Sequence, residues 1–317
     1  MNNIDLVNRG GKRNNPLFDN ADTIDRTISF AIANKVPIVI PQGDWYTSRK
    51  TIVPTKVSIR SYGILIYTNL SNSGLVIGSE DEANYDVDLK GLRVRQQDIN
   101  WTNSSIGIEL LNLSTCCNIN IHNIQGFKIG LQCHASGVTK PRSCMYNTLT
   151  LGSLINNQIG INLHSSMESS SPNSNVFTGG RIGLWSNCPK MEATGVLFSS
   201  SGDGYKGHNN NVFIGQSIEL NHSLIKEDQN LNKTNNSIPI KMNCGTRNRF
   251  IGVRHETHNT DIDVYEDEAG MNEYEFLWAQ KKNLVRTTKS IKSSIIISAE
   301  DIKPGNKKVS VAPSPRV

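Results

Sequence analysis

Apolar and polar residues alternate with a period of two along most of this chain. Ile106-Gly107-Ile108-Glu109-Leu110 reads apolar, Gly, apolar, polar, apolar, and so do Ile129-Gly130-Leu131-Gln132-Cys133 and Ile159-Gly160-Ile161-Asn162-Leu163. Gly195-Val196-Leu197-Phe198 and Ile238-Pro239-Ile240-Lys241-Met242 are weaker members of the same set. This alternation, rich in β-branched residues, predicts strands. A second phrase, Asn-x-Phe-x-Gly, interleaves with the first. It occurs at Asn175-Val176-Phe177-Thr178-Gly179, Asn211-Val212-Phe213-Ile214-Gly215 and Asn248-Arg249-Phe250-Ile251-Gly252, with spacings of 36 and 37 residues. A looser copy, Asn272-Glu273-Tyr274-Glu275-Phe276, follows 24 residues later. Self-similarity of this kind marks a stacked repeat in which each unit covers its neighbour's core. Helical periodicity is confined to residues 20–34, where Ile24, Ile28, Ala31 and Ile32 form a stripe. Such a helix would cover the open end of a solenoid.

Two architectures place strand after strand with polar turns between, a propeller and a parallel β-helix. Propeller blades repeat at a steady period. Here the glycines of the first phrase (107, 130, 160, 195) and Pro239, at the same position, are separated by 23, 30, 35 and 44 residues. Variable intervals suit a β-helix, whose turns absorb insertions. The expectation is therefore an all-β, right-handed, single-stranded parallel β-helix with an N-terminal capping helix. Phe177, Phe213 and Phe250 should stack in one interior column. The repeated Asn should turn inward onto its copy in the next coil, and Asn as a turn former is compatible with that role. The expected divisions are an irregular 1–18, a cap and first turns over 19–86, regular coils over 87–280, and a strand with a basic tail over 281–317. Polar insertions at 98–104, 165–174, 185–191, 199–210 and 221–236 should project as loops.

Composition narrows the class. The chain has 317 residues, 37% hydrophobic, with a net charge of +5. The basic excess gathers near the C-terminus, from Lys281 and Lys282 through Lys307, Lys308 and Arg316. No recognisable nucleic-acid module carries it, so no nucleic-acid partner is expected. No apolar run has the length of a signal peptide or a membrane span, so neither secretion by a leader nor membrane insertion is expected. The six cysteines show no zinc-like pairing, and buried free thiols made in a reducing cytoplasm are expected. Ser201-Gly202-Asp203-Gly204 matches neither a P-loop nor an EF-hand, and no aspartate cluster suggests calcium. No cofactor and no metal are expected.

A start at Asp19-Asn20-Ala21-Asp22-Thr23-Ile24, an apolar strand, and Ile40-Pro41-Gln42-Gly43-Asp44-Trp45-Tyr46 resemble the opening of the pectate-lyase-like right-handed β-helix superfamily. The usual form is Asp-Asn-Thr, an amphipathic helix and a Pro-x-Gly-x-Tyr turn; this chain has one extra residue before Tyr46. The Asn-x-Phe-x-Gly-x-x-Ile-Glu phrases look like bacteriophage tailspikes and capsule depolymerases of that superfamily. The resemblance covers roughly residues 18–280. It implies a virion tail protein made in the host cytoplasm, typically a homotrimer, attached to other phage tail proteins and directed at a bacterial surface polysaccharide such as capsule or O-antigen. The Asn-Thr-Asp, Asp-Asp and Gly-His-Gly signatures of polygalacturonases are absent.

Candidate chemistry follows from aligning the phrases on Asn. Eight residues on stand Gly183, Glu219 and Glu256, and one residue earlier Ile182, Ile218 and His255. A turn near the Gly would put Ile182 and Ile218 inward and the two glutamates outward, on coils about 4.8 Å apart. Close carboxylates split in pKa, giving a donor and a base or nucleophile for glycosidic hydrolysis. Equally, Arg254 on the same coil would simply neutralise them. Arg181 and Arg254, two residues before the carboxylate column, are candidates for holding an acidic sugar, or for weak surface ion pairs. His255 and His258 flank Glu256. Asp203, Tyr205 and His208 lie in the insertion before Glu219, and Trp185 lies after Arg181; Trp185 and Tyr205 are candidate sugar platforms. The expected function is binding and hydrolytic depolymerisation of a bacterial surface polysaccharide. The alternatives are a non-catalytic receptor-binding spike, a polysaccharide lyase, and a structural virion protein.

Overall fold

The computed structural model describes residues 4–297 except 55–56, 69–71, 81, 83–86, 115–116, 138–141, 168, 186–188, 190, 202–206, 221–236, 257–261, 279–283 and 287–292. Its strands form two long parallel sheets of 14 and 9 strands and two short two-stranded ones. Each coil lays one segment on the long sheet and the next on the second sheet. Val176–Gly183 is thus followed by Thr194–Ser200, and Arg249–His255 by Val264–Glu266. Like meets like between coils. Ile38, Ile59, Leu89, Ile119, Leu149, Phe177, Phe213, Phe250 and Tyr274 form one continuous register column. The rings of Phe177 and Phe213 stack at 4.5 Å, Phe213 and Phe250 at 4.6 Å, and Phe250 and Tyr274 at 5.3 Å. All four are buried, as the phrase predicts.

The repeated asparagines form the predicted ladder. Asn147 Nδ2 donates to Asn175 Oδ1 at 2.9 Å, Asn175 to Asn211 at 3.0 Å, Asn211 to Asn248 at 3.0 Å and Asn248 to Asn272 at 3.1 Å. The backbone N–H of each lower residue donates to the same oxygen. The second amide proton of each goes to a carbonyl of the preceding turn, such as Cys144 O or Pro172 O. The last rung donates to Glu266 Oε1, which also accepts from Tyr274 and Ser293. Every rung is buried, so the ladder satisfies polar groups that burial would otherwise penalise.

The helix spans Ala21–Asn34 and buries Ala21, Thr23, Ile24, Thr27, Ile28 and Ala31 against the first coils. Ile32, expected in that stripe, is 43% exposed because it lies just past the stripe's edge. Leu6, Ile24 and Ile28 close the core over Ile38, Ile40, Val53 and Ile59. Trp45 is buried in the capping turn, its indole N–H donating to Pro41 O at 2.8 Å. The segment expected to be irregular contributes the first rung, because Ile4–Asp5 pairs with Ile38–Val39. The apolar Ile4 and Leu6 there supply core contacts that propensity alone does not reveal. At the other end Ser294–Ile297 adds a strand to Glu273–Trp278; the basic tail beyond lies outside the described residues. Cys117, Cys133, Cys144 and Cys244 are fully buried. Contact with Cys144, together with burial, raises the Cys133 thiol well above its ordinary value.

Candidate functional site

The positive φ of Gly179 (64°), Gly215 (68°) and Gly252 (63°) reverses the side-chain parity within each phrase. The left-handed region favours glycine. After the kink Ile182 and Ile218 face the core and the carboxylate column faces out. Gly183 is in register with Glu219. Glu256 N donates to Ile218 O at 2.9 Å, so Glu256 stands beside Glu219 on the next coil. The predicted adjacency is present, and so are the predicted arginines. Arg181, Ser217 and Arg254 share a column. Arg181 grips Glu219 Oε2 through both Nε (3.0 Å) and a terminal nitrogen (2.5 Å), while Ser217 Oγ donates to Oε1 at 2.8 Å. Arg254 pairs with Glu256 Oε1 on its own coil. The two side chains are 18% and 27% exposed, so solvent reaches both carboxylates.

Each carboxylate therefore has its own guanidinium. Trp185, 49% exposed, lies two residues beyond Gly183. Its backbone N–H donates to Asn156 Oδ1 at 2.6 Å, and the N–H of Leu184 donates to Glu219 O, which ties the backbone just before Trp185 to the Glu219 rung. Three coils toward the N-terminus, Gln125 occupies the same column through Ile155 and Gly183. There a polar cleft opens, lined by Arg95, Gln96, Gln97, Asp98, Ile99 and Gln125.

Two expected ligands of a sugar are instead in the interior. His255 is fully buried, its ring 4.5 Å from that of Phe276 and its Nδ1 3.5 Å from Asp263 Oδ1. It shares the column of Ile182 and Ile218, so the kink that turns the glutamates out turns it in. His208 is also fully buried; its Nε2 donates to Ser199 O at 2.9 Å, and burial pushes its pKa down to about 4. Asp203, Tyr205 and His258 lie outside the described residues.

A second polar cluster was not singled out by the phrases. On the outer face of the second sheet, the polar slots of the first phrase align as Glu109, Gln132 and Asn162. Gln132 Nε2 lies 3.4 Å from Glu109 Oε1, and Asn162 Nδ2 donates to Gln132 Oε1 at 3.0 Å. His134 and His164 lie beside them, their ring centroids 5.2 Å apart and their planes tilted by 49°. Burial pushes His164 down to about 4, with the charge of His134 adding to the effect. The signal was a polar residue at the same slot of three copies, followed two residues later by His in two of them. Among the described residues no group of three or more His, Cys, Asp or Glu is arranged to hold a metal, and no helix is long and apolar enough to cross a membrane.

No protein-family model and no curated protein sequence matches the chain. Solved structures do. The chain is similar to ORF18 of Geobacillus virus E2 at 13% identity and a TM-score of 0.67, covering 94% of this chain and 58% of that one. It is similar to tailspike protein 2 of the Escherichia coli O157:H7 bacteriophage CAB120 at 12% identity and a TM-score of 0.54, covering 93% and 42%. It is similar to the surface protein and adhesin PfbA of Streptococcus pneumoniae at 7% identity and a TM-score of 0.51, covering 93% and 100%. The chain thus spans less than two thirds of the two viral chains. At such identities the shared property is the fold. The chain has a right-handed parallel β-helix fold, closed at its N-terminal end by a helix.

Proposed function

We propose that this protein is a tailspike-like component of a phage virion tail that binds a bacterial surface polysaccharide along the outer face of its long sheet. The observation that carries this is the outward ladder of Arg181, Glu219, Arg254 and Glu256, with the exposed Trp185 at one side. Guanidinium groups suit acidic sugars because they grip carboxylates with two parallel hydrogen bonds. An indole offers a broad apolar face to a sugar ring while its N–H stays in water. Binding isotherms against capsules and O-antigens from a strain panel test the proposal. A glycan that binds wild type should bind Trp185→Ala and Arg181→Ala at least tenfold more weakly. Equal affinity for all three proteins would move the binding face elsewhere.

A second reading, hydrolytic depolymerisation, is favoured by the adjacency of Glu219 and Glu256. Their ion pairs set its condition: one glutamate must exchange its arginine for substrate before it can reach the glycosidic oxygen. Glu219→Gln and Glu256→Gln would then each lower chain cleavage by roughly 10²–10⁴-fold with melting temperature unchanged. Intact cleavage in both variants would exclude the pair. Products with a new ultraviolet-absorbing double bond would indicate a lyase, and binding without products a receptor spike.

A further inference from the structure

The cluster on the second sheet contains a connected series of three groups from three successive coils. Glu109 sits in the strand Ile106–Leu111, His134 in Ile129–Ala135, and Ser166 directly after Ile159–Ser165. His134 Nδ1 is 2.7 Å from Glu109 Oε1, and His134 Nε2 is 2.9 Å from Ser166 Oγ. Glu109 and His134 are largely shielded, with side chains 11% and 15% exposed, whereas Ser166 is open to solvent. We propose that Glu109, His134 and Ser166 form a carboxylate–imidazole–serine relay that makes Ser166 a nucleophile toward small O-acyl esters.

The protonation states follow from the partners. Burial by itself would raise the Glu109 carboxyl. Hydrogen bonds from His134 and from Ser73 Oγ (2.5 Å) outweigh burial and hold it below its ordinary value. An ionised carboxylate only accepts, so the imidazole proton sits on Nδ1 and Nε2 is left to accept from the serine hydroxyl. This is the division of roles that a hydroxyl nucleophile needs: a base in hydrogen-bond reach and a third group that fixes the base's tautomer. The orienting shell is itself anchored. Gln132 is held by Asn162 from the next coil, and Asn162 Oδ1 accepts from Ser199 Oγ at 2.9 Å. Ser199 Oγ in turn meets His164 Nδ1 at 2.9 Å, keeping the neighbouring imidazole in place.

In the acyl-transfer step Ser166 Oγ bonds to the ester carbonyl carbon while its proton passes to His134 Nε2. The carbon–oxygen bond to the alcohol then breaks, and the leaving oxygen takes that proton. Water, giving a proton to the same nitrogen, attacks the acyl-serine; the tetrahedral adduct expels Ser166 Oγ, which recovers the proton, and the carboxylic acid departs. The Ser166 amide is committed to Ala135 O at 3.1 Å, so it does not serve the oxyanion. The choice of an O-acylated sugar as natural alcohol rests on the proposed glycan binding. The serine chemistry does not, and small probes test it alone.

The full chain is treated with a fluorophosphonate probe and, separately, with p-nitrophenyl acetate. The expected result is labelling that maps to Ser166, with ester hydrolysis falling roughly 10²–10⁴-fold in both Ser166→Ala and His134→Gln. Ser166 is exposed, so Ser166→Ala should keep the wild-type melting temperature. Glu109 acts through His134, so Glu109→Gln should lower kcat with KM nearly unchanged, and Glu109→Asp should restore part of it. Absence of labelling at Ser166, hydrolysis equal in wild type and Ser166→Ala, or labelling undiminished by His134→Gln would each overturn the proposal. Acetate release from an O-acetylated polysaccharide then tests the substrate. If p-nitrophenyl acetate is cleaved but the polysaccharide is not, the glycan assignment fails and the relay stands.

Discussion

Truncating Asn211 to Ala tests whether the ladder holds the coils together. Asn211 Oδ1 accepts from Asn175 N at 3.1 Å and from Asn175 Nδ2 at 3.0 Å, while its own Nδ2 donates to Pro172 O at 3.0 Å. All of these groups are buried. The substitution orphans two N–H protons of Asn175 and the Pro172 carbonyl. Asn248 Oδ1 keeps a partner, since the backbone N–H of residue 211 still donates to it at 3.0 Å. A buried group left without a partner costs about 1–3 kcal/mol, so three of them together should cost roughly 3–9 kcal/mol. The assay is urea unfolding followed by far-ultraviolet circular dichroism, with Asn118→Ala as control. Asn118 lies on the exposed face of a long-sheet strand, where substitution should stay within about 0.5 kcal/mol. A loss below about 1 kcal/mol for Asn211→Ala would refute the reasoning and reduce the repeated Asn to a turn former.

Phe213 contacts a ring on either side within the column, so Phe213→Ala should cost about 3–5 kcal/mol by the same assay. Stability should also fall as pH drops from 6.5 toward 4. His164 and His208 are both pushed down to about 4 by burial, so in this window the unfolded chain takes up protons that the fold refuses. Each histidine contributes up to roughly 3 kcal/mol of that loss; a flat stability profile between pH 7 and 5 would contradict it. Finally, tailspike-like assembly around a threefold axis predicts a sedimentation mass near three times the 35.0 kDa of one chain. A value of 35.0 kDa at micromolar concentration would exclude a stable trimer.

Most of the fold was legible because a β-helix writes its contacts as sequence repeats. The Phe column, the Asn ladder and the outward turn of Glu219 and Glu256 all follow from one phrase whose three strict copies lie 36 and 37 residues apart. The inward turn of His255 was legible too, since it shares the column of Ile182 and Ile218; its residue type drew attention away from its position. His208 carried no such signal, being placed by an insertion. The grouping of Glu109, His134 and Ser166 was hidden for a different reason. Its members come from coils of unequal length, 23 residues between Gly107 and Gly130 and 30 between Gly130 and Gly160. No fixed offset in the sequence brings them together; only strand register does.

The ladder also constrains how this chain can change length. Asn175, Asn211 and Asn248 each donate to the next rung toward the C-terminus and accept from the one before, so any of these rungs can meet another provided one whole coil is added or removed. Excising residues 211–247 would join Asn210 to Asn248, setting Asn248 over Asn175 and Phe250 over Phe177. Removing a few residues more or less from within a strand would instead set an amide donor against an apolar side chain. The protein can therefore shorten or lengthen in units of a coil at little structural cost, while the insertions between strands vary freely. A molecule built this way can change its reach by recombination between phrases and leave its capped N-terminal end untouched.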